Sequence, residues 1–486
     1  MNAPIVNPRS NCKNNLYQVK LTILLINPPR ENSLILPLDA KKVQNHGHKP
    51  PLGILSIGSY LKRHCQANTI LLDAQALNMM VADVIEYTRR IKPDIVGIST
   101  WTDFWYDICT MADGIKSVLP DTHICLGGPH LSIYPRESLM RGSVDSIVVG
   151  DGELPFFHLA RRLLGMEQTD ITGLYFRKDL NRYKKFEPFV ISEPDRLPIA
   201  DRQLLPYQNY ASVLGKGIGT TMVTSRGCPH KCIYCKLDAQ KTMFRSPESV
   251  VQEMEHIKSL GINEIEIYDD TFGSKRSRVF DICRLMKQKG LNFRITIRDR
   301  VSNIDEEVIS TLKGVGLVRV YLGVESVSNG TLKTIKKQIT VEQAQTAIEI
   351  VKAHGVEVLA YFMIGLPGET TTDFFKMLDW AKKMGPDYAN FSVVIPYPGT
   401  ELYKRALEQK IIKRDIWKEF VLNPTAEMVL PIYTEQYSRN ELLRIQKEII
   451  RNYYFRIKYI AQQLIKIKSL DQVRRKAGMA ISLLRA

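Results

Sequence analysis

From Leu21 onward, short β-rich runs alternate with segments long enough to be helices. The runs Leu21–Asn27, Thr69–Asp73, Ile95–Ser99, Ile124–Gly127 and Ser146–Val149 read as strands, most of them separated by a helix length. Alternation of this kind requires a parallel sheet covered on both faces, so the pattern predicts a doubly wound α/β fold for residues 21–165. In such a sheet ligands bind outside the carboxyl ends of the strands.

Residues 166–215 are polar and strand-poor, with Pro188, Pro194, Pro198 and Pro206 spaced along them, and are expected to form a linker. The alternation then resumes with Thr220–Thr224, Glu264–Tyr268, Phe293–Arg298, Val318–Val324, Val358–Ile364 and Tyr388–Val394 as strands and segments such as Pro247–Leu260 and Val341–His354 as helices. Six βα units fit a partial (β/α)6 TIM-type barrel over residues 216–425, with chemistry at the carboxyl ends of its strands. Residues 426–486 turn helical and basic, with an apolar stripe at Leu442, Ile445, Ile449, Tyr453, Ile457, Ile460, Leu464 and Ile467 and Arg444, Lys447, Arg451 and Lys458 off it. Residues 1–20 are a tail.

Composition narrows the class. At 486 residues the chain exceeds one ordinary core, and 44% hydrophobic with 24% charged residues is usual for a soluble globular protein. The first twenty residues lack the basic start and apolar run of a secretory signal, and no stretch nears the roughly 20 apolar residues of a membrane span. The expected compartment is therefore the cytoplasm, where Cys12, Cys65, Cys109, Cys125 and Cys283 stay as free thiols. The net charge of +16 lies largely beyond Ser438, in residues such as Arg439, Arg451, Lys466 and Arg475.

The strand ends carry the candidate chemistry. In the first sheet they read Asn27-Pro28-Pro29, Asp73, Ser99-Thr100-Trp101, Gly127-Gly128-Pro129-His130 and Gly150-Asp151-Gly152-Glu153. Glycines there let backbone amides approach a ligand, and Ser99 and Thr100 can donate to it, although Gly, Pro and Asp are also common in ordinary βα turns. In the barrel the rim collects Asp269-Asp270-Thr271, Arg298-Asp299-Arg300, Glu325-Ser326, Gly365-Leu366-Pro367-Gly368-Glu369 and Pro396-Tyr397-Pro398 around Cys228, Cys232 and Cys235. Three thiolates spaced C-x3-C-x2-C hold three corners of a cubane iron–sulfur cluster and leave the fourth iron open. The competing readings are a closed zinc site completed by His230 and, for Asp270 and Thr271, helix caps.

The trio, with Tyr234 as the aromatic before the last cysteine, resembles the signature of the radical S-adenosylmethionine (SAM) superfamily. The preceding flavodoxin-like domain, with Pro50-Pro51-Leu52-Gly53 opening its first helix and its two glycine-rich strand ends, resembles that of the cobalamin-binding radical SAM enzymes, which include class B methyltransferases and the anaerobic magnesium-protoporphyrin monomethyl ester cyclases. The resemblance covers about residues 20–430. It implies a [4Fe–4S] cluster on Cys228, Cys232 and Cys235. It implies SAM held by Asp269 and Asp270 at its amino group, Arg298 at its carboxylate, Glu325 and Ser326 at the ribose, and Gly365 and Pro367 beside the adenine. It implies cobalamin near Ser99, Thr100, Gly127, Gly128, Gly150, Gly152 and Glu153. A D-x-H-x-x-G motif is absent, which leaves water, nothing, or a histidine of the loop holding His46 and His48 below the cobalt.

The reaction implied is methylation of an unactivated carbon by way of a 5′-deoxyadenosyl radical and methylcobalamin, with a non-methylating cyclase or oxidoreductase as the alternative and an RNA-modifying enzyme as the more distant one. A non-catalytic cobalamin or metal-binding regulator fits the first domain, but the cysteine trio argues against it. The partners implied are a small-molecule or lipid-like substrate and a low-potential electron donor of the flavodoxin or ferredoxin type; nucleic acid is not expected. The C-terminal stripe is expected to pack on the barrel with a solvated basic face. Its alternative is an interfacial helix on the inner face of the membrane, with Tyr453, Tyr454, Phe455 and Tyr459 at the boundary.

Overall fold

The computed structural model describes residues 21–34, 48–166, 169–211, 215, 217–235 and 242–465. Cys12, His46, Ile467 and the basic residues from Lys466 on lie outside them.

Six strands form the first sheet: β1 (Thr22–Asn27), β2 (Asn68–Asp73), β3 (Ile95–Ser99), β4 (His123–Gly127), β5 (Ser146–Val148) and β6 (Leu174–Phe176), in the order β2-β1-β3-β4-β5-β6. The first five are parallel, and β6 runs antiparallel to β5. β1 shows why the sheet is doubly wound. Ile23 and Leu25 face one hydrophobic cluster while Leu24 and Ile26 face another, so the strand has no solvent side. The cluster on the Leu24 side is continuous with the core of the barrel. β6 comes from the segment expected to be only a linker. That segment also staples the two sheets, because Tyr210 donates its hydroxyl to Asp73 (2.8 Å) and buried Arg202 pairs with Glu253 (2.5 Å) while donating to the Thr221 carbonyl.

The second sheet has the order β14-β13-β12-β11-β10-β7, all parallel. Its strands are β7 (Gly219–Met222), β10 (Glu264–Ile267), β11 (Arg294–Asp299), β12 (Leu317–Glu325), β13 (Glu357–Ile364) and β14 (Tyr388–Val393), while β8 (Ser225–Arg226) and β9 (Met243–Phe244) form a separate antiparallel pair around the cysteine loop. β7 and β14 are edges that do not meet, which makes the barrel partial, as predicted. The helices outside it start where side chains satisfy the free amides: Ser246 accepts from Ser249 N–H ahead of Pro247–Ser259, and Thr340 forms a capping box with Gln343 ahead of Val341–Ala353.

Ile265, Ile295, Ile297, Val320, Leu322, Val358 and Phe362 face those helices. The alternate positions face the lumen and include charged residues in matched pairs: Arg294 with Glu264 (2.9 Å), Arg298 with Glu266 (2.9 Å) and Arg319 with Glu357 (3.0 Å). Lys49, ahead of the first helix of the other sheet, enters this lumen to pair with Glu266 and lies 5.0 Å from the Tyr268 ring centre.

The C-terminal helix Arg439–Tyr454 packs on the barrel through Leu442, Ile445, Ile449 and Tyr453, whereas Ile457 and Ile460, expected on the same stripe, are exposed on the next helix, Ile457–Ile465. Tyr453, Tyr454 and Tyr459 donate their hydroxyls to the carbonyls of Pro386 (2.6 Å), Ala389 (2.7 Å) and Asp387 (2.9 Å). This corrects the interfacial reading of these rings, since they close the edge strand β14 and its approach instead of facing lipid. Arg444, Lys447, Arg451 and Lys458 are exposed, as the packed-helix reading expects. Among the described residues no helix is long and apolar enough to cross a membrane.

Candidate functional site

The cysteine loop leaves β8 at Gly227, whose φ of +89° only glycine adopts without strain. Its middle is fixed by Ile233, a core side chain whose N–H donates to the Ile335 carbonyl (3.2 Å) and whose carbonyl accepts from Leu402 N–H (2.8 Å). A turn from Cys235 N–H to the Cys232 carbonyl (3.1 Å) brings the last cysteine round. Cys228 and Cys232 are buried and Cys235 is exposed. Burial pushes the Cys228 thiol up, with the nearby Arg300 guanidinium opposing it. Arg300 also points Nη1 at the Cys232 sulfur, 3.6 Å away.

His230 turns Nδ1 toward Gln338 Oε1 (3.4 Å), and among the described residues no three His, Cys, Asp or Glu side chains converge as a single-ion site requires. A cubane asks for something different, one thiolate at each of three corners. Three thiols on one anchored loop beside a buried cation fit that chemistry.

Asp269 and Asp270, adjacent in sequence, are put to opposite uses. The Asp269 carboxylate is buried and fully engaged, accepting from Thr224 N–H (2.6 Å), Thr224 Oγ1 (2.5 Å) and Ser225 Oγ (2.6 Å), so it braces the strand leading into the cysteine loop. Asp270 lines the cavity described below, accepts from Gly227 N–H, and has its carboxyl pushed up by burial and by Asp269. Neither Asp270 nor Thr271 caps a helix: no side chain caps the turn Phe272–Ser274 or the helix Arg276–Gln288.

Arg298 stacks on Tyr268 (3.9 Å to the ring centre) and donates Nη2 to Glu266, while its buried Nε has no partner. Glu325 closes β12 at φ +67° and is held there by Lys337 (2.8 Å). Ser326 donates to Glu369 (2.7 Å), which also accepts from Leu366 N–H (3.1 Å) and is pushed up to about 7 by burial. Glu369 thus ties the end of β12 to the turn Gly365–Pro367, where Gly365 has φ +89°.

Between the sheets lies a cavity of about 490 Å³ into which Ser99, Gly127, Gly128, Gly150, Gly152 and Glu153 open from one side and Arg226, Gly227, Tyr268 and Asp270 from the other. Thr100 is not among them: its side chain is fully buried and its hydroxyl donates to the Ile98 carbonyl (3.1 Å), because adjacent residues of a strand end point to opposite faces. The glycines also divide. A Cβ on Gly127 or Gly53 would meet nothing within 4 Å, so both leave open room in the cavity wall. A Cβ on Gly150 (φ +91°) would sit 2.2 Å from the Phe189 carbonyl oxygen, so that glycine serves the chain packed behind it. The described lining contains no histidine, and His48 instead borders the barrel floor beside Lys49. His130 is buried, stacked on Trp105 (4.3 Å) and bonded to Thr102.

Glu153 meets its neighbours through charge. Arg226, the residue before Gly227-Cys228, reaches across the cavity wall to Asp151 (2.6 Å) and Glu153 (2.7 Å), and Ser56 donates to Glu153 as well (2.6 Å). Sequence reasoning missed Arg226, Ser56 and Lys337, and noted Gly53 only within the Pro50-Pro51-Leu52-Gly53 stretch, not as part of the cavity wall. A basic residue at a strand end two positions before the first cysteine was the available signal for Arg226.

The B12 binding domain family matches residues 43–160 and the radical SAM superfamily residues 222–381. An uncharacterized methyltransferase of Pyrococcus horikoshii is 31% identical over 452 residues, spanning 92% of this chain and 95% of that protein. The anaerobic magnesium-protoporphyrin IX monomethyl ester cyclase of Rubrivivax gelatinosus is 27% identical over 377 residues, 74% of this chain and 66% of that one. Among solved structures, the radical SAM methyltransferase TsrM from Kitasatospora setae with cobalamin and a [4Fe–4S] cluster bound shares the fold at a TM-score of 0.74, with 16% identity over 96% of this chain and 100% of that one. The cobalamin-dependent radical SAM enzyme OxsB does so at 0.71, with 17% identity over 96% and 72%. The chain belongs to the cobalamin-binding radical SAM family and is an enzyme whose cofactors are a [4Fe–4S] cluster, SAM and cobalamin.

Proposed function

We propose that this enzyme methylates an unactivated carbon of a small-molecule substrate. The observation that carries the proposal is the shared cavity: the glycine-lined ends of the first sheet and the root of the barrel's cysteine loop, Arg226 and Gly227, line one space. Bound there, the cluster supplies an electron for SAM cleavage and the cobalamin supplies a methyl group to a carbon that no side-chain base could deprotonate.

Cys228, Cys232 and Cys235 would hold the cluster. Asp270 is the acid of the Asp269–Asp270 pair left open to the cavity for the SAM amino group, Arg298 has one unpartnered N–H, its Nε, for a carboxylate, and Glu325, Ser326, Gly365 and Pro367 form the rim for the nucleoside end. Gly53, Ser99, Gly127, Gly128 and Gly152 form the wall against which cobalamin would lie. Arg226 fixes the distance between the two walls by binding both acids of Gly150–Glu153. The apolar residues of the first wall, among them Leu25, Ile54, Ile98 and Phe156, exclude water from the space.

The test is anaerobic purification with iron, sulfide and cobalamin, followed by reduction in the presence of methyl-labelled SAM alone. Release of S-adenosylhomocysteine with label in the cobalamin fraction is the expected result. 5′-Deoxyadenosine as the sole SAM product would count against methylation and favour cyclase-type chemistry.

A further inference from the structure

The three cysteine sulfurs are not treated alike. Cys228 receives a backbone N–H from His230, and Cys235 sits at the surface. Cys232 receives two side-chain donors: the Arg300 guanidinium, with Nη1 at 3.6 Å, and the Tyr234 hydroxyl. Both donors depend on Lys337. Its carbonyl accepts from Arg300 Nη2, its ammonium donates to the Tyr234 hydroxyl (3.3 Å), and it is itself held by Glu325 (2.8 Å). All three side chains are largely withdrawn from water: Arg300 is 6% and Lys337 5% exposed, and Tyr234 is packed against the core. Nothing in the loop's backbone geometry demands this arrangement, because Ile233 already anchors it.

One-electron reduction of a cubane adds a negative charge that is shared with its thiolates. A hydrogen bond to one of those sulfurs, or a cation beside it in a low-dielectric surrounding, stabilises the reduced form over the oxidised one. We infer that Arg300 and Tyr234, held in place by Lys337, act as a donor set at the Cys232 corner that raises the cluster's reduction potential and so eases electron transfer from a low-potential reductant. Arg300 and Lys337 are positioning residues in this account, since they act through Cys232 and Tyr234. The inference rests on the reading that the three cysteines carry a [4Fe–4S] cluster.

The test is a potentiometric titration of the full-length, anaerobically reconstituted protein, with dithionite as reductant, no SAM present, and the reduced cluster read by electron paramagnetic resonance. Tyr234→Phe removes a single oxygen, and Arg300→Gln removes the charge while keeping an amide donor. Both are expected to take up wild-type amounts of iron and sulfide and to titrate at a more negative potential, with Arg300→Lys recovering part of the shift. Exposed Lys231→Ala is expected to titrate with the wild type. Titration of fully loaded Tyr234→Phe and Arg300→Gln at the wild-type potential overturns the inference. So does loss of the cluster from Tyr234→Phe, which would make the hydroxyl a structural brace. Failure of the wild type itself to load a cluster overturns instead the reading beneath it.

Discussion

The two parallel sheets have the same connectivity logic and opposite interiors. In the first, β1 is apolar on both sides, because helices cover both. In the second, β13 and β14 alternate buried and half-buried residues, because helices cover only the outer face and the inner one surrounds a lumen of Arg–Glu pairs and tyrosines. A doubly wound sheet therefore offers a ligand only its strand ends, where glycines make room. A partial barrel offers both an end and an interior, and fills that interior with groups that need partners. The shared cavity lies where the ends of both sheets meet.

The most drastic way to break this comparison is to replace Cys228, Cys232 and Cys235 together by Ala. The cluster's absorption and SAM cleavage are expected to vanish while cobalamin is retained; loss of cobalamin with it would show that the first sheet's wall depends on the barrel. Next in size is Arg226→Met, which leaves Asp151 and Glu153 facing each other without a cation and is expected to cost about 3 kcal/mol in denaturant unfolding. A cost under about 0.5 kcal/mol, the range of ordinary surface changes, would mean that the walls are held by other contacts.

The glycine pair sharpens the contrast within one sheet. Gly150→Ala, forced into both a positive φ and a carbonyl oxygen, is expected to lower stability by roughly 2 kcal/mol. Gly127→Ala is expected to leave stability within about 0.5 kcal/mol while weakening cobalamin uptake roughly tenfold, the scale of one overpacked methyl. Equal effects on stability would erase the distinction. The smallest effect is a slope. Burial raises the folded-state value of Glu369 to about 7, above that of an unfolded glutamate, so its contribution is fully present at acid pH and is lost as pH rises toward and through 7. Glu369→Gln, permanently neutral, is expected to flatten that decline in thermal unfolding followed from pH 5 to 8. An unchanged slope would place the titration elsewhere.

Most strands were legible because short β-rich runs between helix lengths admit few arrangements. β6 was not, since Leu174–Phe176 is three residues inside a polar stretch and acquires its meaning only from the edge of β5. At the cavity, stretches that line it were legible, and which member of each pair faces it was not. Ser99 and Thr100, or Asp269 and Asp270, differ by one position, and one position decides which face a strand-end side chain takes. Gly127 and Gly150 look equivalent until Phe189, a distant residue, is placed behind one of them. The C-terminal stripe is expected to pack on the barrel, but a boundary role for its tyrosines stays open beside that, because an amphipathic stripe says that a helix has a partner without saying whether the partner is lipid or the main-chain carbonyls before and along β14.

Lys49 and Glu266 are separated by 217 residues. At ribosomal rates of 5–20 residues per second, the lysine waits on the order of ten to forty seconds before its acid exists. In that interval the first sheet can complete the face of Ile23 and Leu25, while the face of Leu24 and Ile26, continuous with the barrel core, and Lys49 both wait for a barrel not yet made. A barrel produced without the first half would leave Glu266, among the described residues, with Arg298 as its single cation, so the lumen of the second half is completed by a residue of the first.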